Sequence, residues 1–332
     1  MNEYKPPFKF TKKIFQSCMD ISNDLGKVST FKNLSKFPRL RKQNRVKSIF
    51  SSCAIEANSL SLEQVHDIIN GIDVVGPENE ILEIKNAIKA YEYLEEFNPF
   101  SLDDLLKAHG ILTDGLISRP GKFRLNNEGV YNGSKCIFMA PPKDLVPELM
   151  LNLFNWMNQN KAELDLLILS CIFHYEFVYI HPFQDGNGRT ARLWQTAILG
   201  QYNSIFYWLP IENYIQQYQE DYYEVIDKCN YEGESTLFIE FMLDIIHKAL
   251  LKIEKQIDSE TTKYDISVSK LIKIMEYDTF YTAKELMEML GLNSLSGFKK
   301  RYIVPALKEG AIDYEFPERP SSRNQRYIKK SF

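Results

Sequence analysis

The chain has 332 residues, 44% hydrophobic and 25% charged, with a net charge of −4, which is the profile of a soluble globular protein long enough for two or three domains. That balance excludes a globally basic nucleic-acid binder and offers no field toward an anionic membrane, so any polyanion contact must be local. The opening MNEYKPPFKFTKK lacks the apolar core of a signal peptide, and no window approaches a membrane span; the cysteines at 18, 53, 136, 171 and 229 form no CxxC pair. These features predict a cytoplasmic protein without a disulfide framework or zinc site.

From about residue 10 to 110, apolar residues recur at helical spacing. SLEQVHDIIN predicts a short helix with Ser61 as N-cap and Gly71 as stop. In NEILEIKNAIKAYEYLEE, Ile81, Ile84, Ala87, Ile88 and Tyr91 share one face, a stripe suited to core packing. The texture changes in RPGKFRLNNEGVYNGSKCIFMAPPKD, where EGVYNGSKCIFM reads as a hairpin turning at Asn132-Gly133. Helices return in LVPELMLNLFNWMNQN, in AELDLLILSCIFHYEFVYI, after Gly188 and in NYIQQYQEDYYEVIDKC. The second is apolar on nearly every side, which marks a buried central helix that delivers His181. The polar run LLKIEKQIDSETTKYD predicts a linker or helix end over 252–265. Beyond it, TAKELMEMLGLNSLSGFKKRYIVPALKEG reads as helix, turn at Gly291 and helix, followed by a hairpin with ERPSSRNQRY as its loop.

Chemistry concentrates in HPFQDGNGRTAR, His181 to Arg192. Pro182 prevents simple continuation of the helix, while Gly186 and Gly188 admit torsions closed to other residues. A Gly-x-Gly turn opening a helix aims backbone N–H groups one way, and the helix dipole adds positive charge there. Arg189 and Arg192, three residues apart, share a face and can fork onto phosphate oxygens. As cations at a helix N-terminus they oppose the dipole by roughly 0.3–1 kcal/mol each, a conflict that a bound anion removes. Asp185 beside an anion site fits Mg²⁺, which takes a single carboxylate together with phosphate oxygens and water. His181 is the nearby group able to accept a proton near neutral pH. The set describes a metal-bound polyphosphate beside a general base. Gly186-x-Gly188-x-x-Ala191 also matches the dinucleotide fingerprint, but charged residues crowd the turn and Glu212 is a poor ribose acid.

The same twelve residues resemble the Fic-family signature, His-Pro-Phe-x-Asp/Glu-Gly-Asn-Gly-Arg-x-x-Arg, at every defined position, and the likeness extends over roughly residues 5–250. The resemblance implies a mainly α fold: a Fic-type helical bundle with a short β-hairpin flap. It implies transfer of AMP from ATP to a Ser, Thr or Tyr hydroxyl of a target protein, releasing pyrophosphate. It assigns His181 as base, Asp185 as the Mg²⁺ ligand, Gly186, Asn187, Gly188 and Arg189 to the phosphates, and Arg192 to the γ-phosphate. Val130 to Met139 would be the flap that clamps the target segment, and Tyr222 and Tyr223 fall near the adenine pocket. SSCAIEANSL resembles the family's inhibitory motif, with Ser52 and Glu56 in place and Ala57 where Gly or Asn is usual. The implied restraint is Glu56 on Arg192, in the place of the γ-phosphate.

On this reading 1–100 is an N-terminal helical region carrying the inhibitory motif, 101–251 the catalytic core, 252–265 the connection and 266–332 a small winged helix-turn-helix. Its second helix, GFKKRYIVPAL, and wing present Lys299, Lys300, Arg301, Arg319, Arg323 and Arg326 to DNA phosphates or to a protein, though Pro305 is awkward for groove insertion. The expected activity is an adenylyltransferase restrained in cis, able to modify itself, with a homodimer as the default assembly. Removal of AMP, another nucleotide donor, and a nucleotide-sensing DNA-binding regulator without turnover are the alternatives.

Overall fold

The computed structural model describes residues 4–29, 38–132, 135–262, 266–276, 278–320 and 322–330. Its backbone divides into two compact units, one joining 1–23 to 43–250 and the other joining 24–42 to 251–332. Most of 1–100 therefore shares one unit with 101–250 and does not stand apart from it.

The first unit is helical. Helices α1 (Lys12–Ser29) and α2 (Pro38–Ile55) each run across the boundary between the units. Helix α3 (Leu62–Ile69) begins at Ser61, whose hydroxyl and backbone exchange hydrogen bonds with Gln64, and the chain turns at Gly71 with φ 75°, as the cap pattern predicts. Helix α4 (Glu78–Glu92) buries Ile84, Ala87 and Tyr91. Helix α5 (Leu102–Leu112) starts at the Ser101 cap. Strands β1 (Gly129–Asn132) and β2 (Lys135–Met139) pair antiparallel, with Val130 opposite Phe138; the expected turn residue Gly133 lies outside the described residues.

Helix α6 (Val146–Asn160) leads to the central pair α7 (Leu166–Ile180) and α8 (Asn187–Tyr202). Every side chain of α7 from Leu167 to Phe177 is buried. In α8 the same holds from Arg189 to Leu199, with Trp194 between Phe97 and Phe154. A helix without a polar face can only sit at the middle of a bundle. Helices α9 (Ile211–Gln217), α10 (Gln219–Glu232) and α11 (Thr236–Thr262) follow. Helix α11 continues through 252–262, where polar composition suggested a linker. Those residues are good helix formers, and polarity alone does not end a helix.

In the second unit the order is α12 (Ile266–Ile274), β3 (Phe280–Thr282), α13 (Ala283–Met289), α14 (Leu295–Phe298), a π segment over 299–303, α15 (Val304–Lys308), β4 (Ile312–Tyr314) and β5 (Arg326–Lys329). The strands form one antiparallel sheet in the order β3-β5-β4. Val268, Leu271, Leu286, Phe298, Ala306 and Ile312 are among its core residues. The single helix expected over 297–307 is three contiguous pieces. Pro305 has no N–H and crowds the preceding turn, and the π segment before it relieves that clash. Strand β3, with three residues, is too short to leave an alternation in the sequence. Among the described residues no helix is long and apolar enough to cross a membrane.

Candidate active site

The site is built where α7 ends and α8 begins. Helix α7 closes on His181, which takes the left-handed conformation (φ 49°, ψ 59°) and donates its N–H to Phe177 O at 3.0 Å. A non-glycine residue there costs roughly 1–2 kcal/mol, so its surroundings must hold it. Arg124 does so: its Nε donates to His181 O at 2.8 Å, and its own backbone N–H donates to Pro182 O at 2.9 Å. Burial lowers the His181 imidazole pKa below the usual 6.5, and the nearby Arg124 cation pushes the same way. The ring is thus neutral near pH 7 and able to accept a proton.

The loop is braced from within. Asn187 Oδ1 accepts the Phe183 N–H at 2.9 Å, and its Nδ2 donates to Phe183 O at 2.8 Å. Its side chain is therefore spent on the turn, leaving the backbone N–H as what Asn187 can offer an anion. Gly186 has φ 81°, and a Cβ there would come within 2.8 Å of Thr113 Cγ2, so two separate reasons require glycine. His109, fully buried beneath the loop, stacks on Phe183 with ring centroids 3.5 Å apart. Its Nδ1 accepts the Gly121 N–H at 3.0 Å, so Nε2 carries the proton and donates to Asp185 O at 2.9 Å. Burial lowers the His109 pKa to about 4, which keeps that arrangement neutral.

Both arginines of the motif are buried and met by carboxylates. Arg192, 2% exposed, donates from Nη2 to Glu56 Oε1 at 2.7 Å and to Ser52 O at 2.8 Å, and from Nε to Ser52 Oγ at 3.1 Å. A methyl group at Gly188 would collide with Glu56 Oε1, so that carboxylate lies directly against the first turn of α8. Arg189 pairs with Glu83 and, at 3.0 Å, with Asp185 Oδ1, while among the described residues its buried Nε has no hydrogen-bond partner. The unfavourable charge expected of two cations at a helix N-terminus is thus offset by three carboxylates, Glu56, Glu83 and Asp185.

The end of α2 explains how Glu56 is presented. Ala57 adopts φ 67°, its N–H bonding to Ala54 O and that of Asn58 to Cys53 O. This is a left-handed helix cap of the kind that favours Gly or Asn. Asn58 Nδ2 then donates to Glu83 Oε2 at 2.6 Å, linking this turn to the acid that holds Arg189.

The two tyrosines part company. Tyr222 is 2% exposed, and its hydroxyl bonds His174 Nε2 at 2.9 Å within a cluster that includes Phe238. Its ring is not available to a base, contrary to the sequence expectation; aromatic residues on a helix serve packing first. Tyr223 is 45% exposed and close enough to feel the Glu56 and Arg192 charges. Glu212, dismissed as a ribose acid, is buried and accepts hydrogen bonds from Ser48 and Tyr91, each at 2.7 Å. Arg326 lies on β5 and pairs with Glu315, so its charge is already engaged; Lys299, Lys300 and Arg301 are exposed.

Among the described residues no cluster of three or more His, Cys, Asp or Glu forms a metal site. Asp185 is 60% exposed, and its Oδ1 accepts from Gly186 N and Arg189. Among the described residues no hydrogen bond engages its Oδ2, which suits a Mg²⁺ completed by phosphate oxygens and water.

Residues 99–199 match the Fic/DOC family and 267–328 match the Fic-like C-terminal domain of filamentation-induced-by-cAMP proteins. A solved Fic family protein from Desulfovibrio desulfuricans G20 is 36% identical, covers 99% of both chains and superposes with a TM-score of 0.73. The chain belongs to the Fic family. Proteins named protein adenylyltransferase Fic from Aedes aegypti and Nematostella vectensis are each 30% identical, over 64% and 61% of this Fic chain. The chain spans only 42% and 47% of their respective lengths. Fic-1 from C. elegans, 21% identical with a TM-score of 0.61 over 74% of each chain, shares the fold. Three residues of this Fic site left no readable mark in the sequence: His109, Arg124 and Glu83 come from separate loops and helices. The one available signal was scarcity, since the chain has five histidines.

Proposed function

We propose that this Fic protein is an adenylyltransferase that transfers AMP from ATP to a protein hydroxyl. The observation that carries the reading is a neutral, half-buried imidazole one short turn away from two buried arginines at the start of α8 and an exposed aspartate. Relatives at 30% identity named protein adenylyltransferase support the same reaction. The triphosphate lies over the Gly186–Gly188 turn, where backbone N–H groups, Arg189 and Arg192 bind its oxygens. Asp185 would hold Mg²⁺, which when bound neutralises phosphate charge. His181 takes the proton of the incoming Ser, Thr or Tyr hydroxyl as its oxygen bonds the α-phosphorus, and pyrophosphate leaves. The β1–β2 hairpin aligns the target segment by strand-like pairing, and the exposed ring of Tyr223 borders the base. Glu56, paired with Arg192, restrains the reaction in cis by standing where the γ-phosphate must bind.

Mass spectrometry after incubation with ATP and Mg²⁺ tests the reading. An added AMP on the Glu56→Gly chain or on a lysate protein is expected, and none with His181→Ala. A Glu56→Gly chain that binds ATP while neither it nor any lysate protein acquires AMP refutes transfer and favours nucleotide sensing. Release of AMP from a modified protein by the intact chain, abolished in Glu56→Gly, would identify the reverse reaction. The exposed Lys299, Lys300 and Arg301 support a second role for residues 266–332 as a winged helix that contacts nucleic-acid phosphates. A salt-dependent gel shift with duplex DNA, lost on neutralising the three, is the corresponding measurement.

A further inference from the structure

Arg124 lies in the loop between α5 and β1 and is 5% exposed. Among the described residues no carboxylate stands within ion-pair distance of it. A buried cation without an ion pair is costly, and here the hydrogen-bonding compensation comes from carbonyl groups, with the Glu128 charge acting from beyond ion-pair distance. Nε donates to His181 O at 2.8 Å, Nη1 to Asn126 O at 2.7 Å, and Nη2 to Pro141 O at 2.5 Å with Ile180 O at 3.5 Å. The α7 carbonyls are the negative end of a helix dipole, which favours a cation there. Asn126 lies just before β1 and Pro141 just after β2. One planar fork therefore joins both feet of the hairpin to the backbone of His181, itself in a left-handed conformation. A cap that only closed α7 would need neither Asn126 nor Pro141.

We infer that Arg124 is a positioning residue, setting where a hydroxyl presented beside the β1–β2 hairpin lies relative to the His181 imidazole. The inference rests on the reading of His181 as the base of AMP transfer. The hydrogen bonds of Arg124 run to His181, Asn126, Pro141, Ile180 and Pro182 and not to the Gly186–Gly188 turn or the motif arginines, so its loss should act on the transfer step and spare nucleotide binding. Lysine keeps the charge but cannot reach three carbonyls in one plane.

The test uses the Glu56→Gly chain as parent, with Arg124→Lys and Arg124→Gln added. ATP binding with Mg²⁺ is measured by calorimetry, and the saturating rate of self-labelling by α-labelled ATP is measured alongside. A shift of about 1 Å between reacting groups costs on the order of 100-fold in rate. Arg124→Gln is expected to lose that much and Arg124→Lys about 10-fold, with the Kd for ATP changed less than about threefold. In Arg124→Gln the acid limb of the pH–rate profile should also move to higher pH. The Arg124 guanidinium lowers the imidazole pKa, whereas Asp185, the remaining charge that bears on the ring in this background, raises it.

Arg124→Lys that labels at the parental rate overturns the inference, as does a rate loss matched by an equal loss of ATP affinity. If Arg124→Gln fails to fold by circular dichroism, Arg124→Lys alone decides by the same two measurements. A parent that binds ATP and does not label itself or any lysate protein refutes the base reading and the inference with it. A parent that labels alongside fully active Arg124 variants refutes the inference alone.

Discussion

Replacing Glu56 with glycine removes the carboxylate that Arg192 holds at 2.7 Å. Unit charges about 4 Å apart at an effective dielectric of 20 attract by about 4 kcal/mol. The Glu56 side chain is 34% exposed, so solvent screening and the desolvation of Arg192 reduce that to about 2 kcal/mol. ATP must overcome this much to bring its terminal phosphate onto Arg192, and 2 kcal/mol corresponds to a factor of about 30 in the competent complex. The assay is the initial rate of self-labelling by α-labelled ATP with Mg²⁺ at subsaturating nucleotide. Glu56→Gly should label about 30-fold faster than the natural chain. Glu56→Gln loses the charge but keeps the bulk against Gly188 and an amide oxygen that can still accept from Arg192, so about half of the 2 kcal/mol should remain and its gain should be smaller, about fivefold. Equal rates for Glu56→Gly and the natural chain would refute the reasoning, because the carboxylate would then not compete with phosphate for Arg192. A Glu56→Gln rate equal to that of Glu56→Gly would assign the whole effect to charge and none to occupancy.

Three further outcomes follow from the same geometry. Ala57→Gly should stabilise the chain by about 1 kcal/mol by relieving the left-handed alanine at φ 67°, seen as a rise of about 2 °C or more in calorimetric Tm; an unchanged or lower Tm counts against strain at that cap. The acid limb of the transfer rate should lie below pH 6.5, the ordinary value for imidazole, because burial lowers the His181 pKa; a limb above 6.5 argues for another base. His109 titrates at about 4 in the fold against 6.5 when unfolded, so the unfolded chain binds the extra proton between those values. Its contribution, about 3 kcal/mol, is complete above pH 6.5 and lost as pH falls toward 4. The Tm gap between His109→Gln and the natural chain should therefore narrow over that range, and a constant gap would show that the fold does not lower the His109 pKa.

Local order determined what could be read directly. The Ser61 cap and Gly71 stop, an α7 apolar on nearly every side, and the turn from Gly186 to Gly188 each depend on residues within one or two turns of one another, where backbone sterics and hydrogen-bond geometry act without help. Ala57 stood out only as a departure from the motif that SSCAIEANSL resembles, because an alanine by itself does not signal the left-handed helix end it forms. The pairing of Glu56 with Arg192 was expected from resemblance alone, since 136 positions separate the two residues.

Tertiary packing decided the rest. Tyr222 and Tyr223 are neighbours in sequence, yet one is sealed against His174 and Phe238 and the other faces solvent, because adjacent helical positions point about 100° apart and only the bundle determines which side is inward. Glu83, His109 and Arg124 reach the motif from α4, α5 and the loop before β1, and no periodicity marks a side chain whose partner is a carbonyl or an arginine many turns away. Helical spacing encodes which face is apolar; which buried charge meets which carbonyl is settled when the helices close on one another and every polar group removed from water must find a partner.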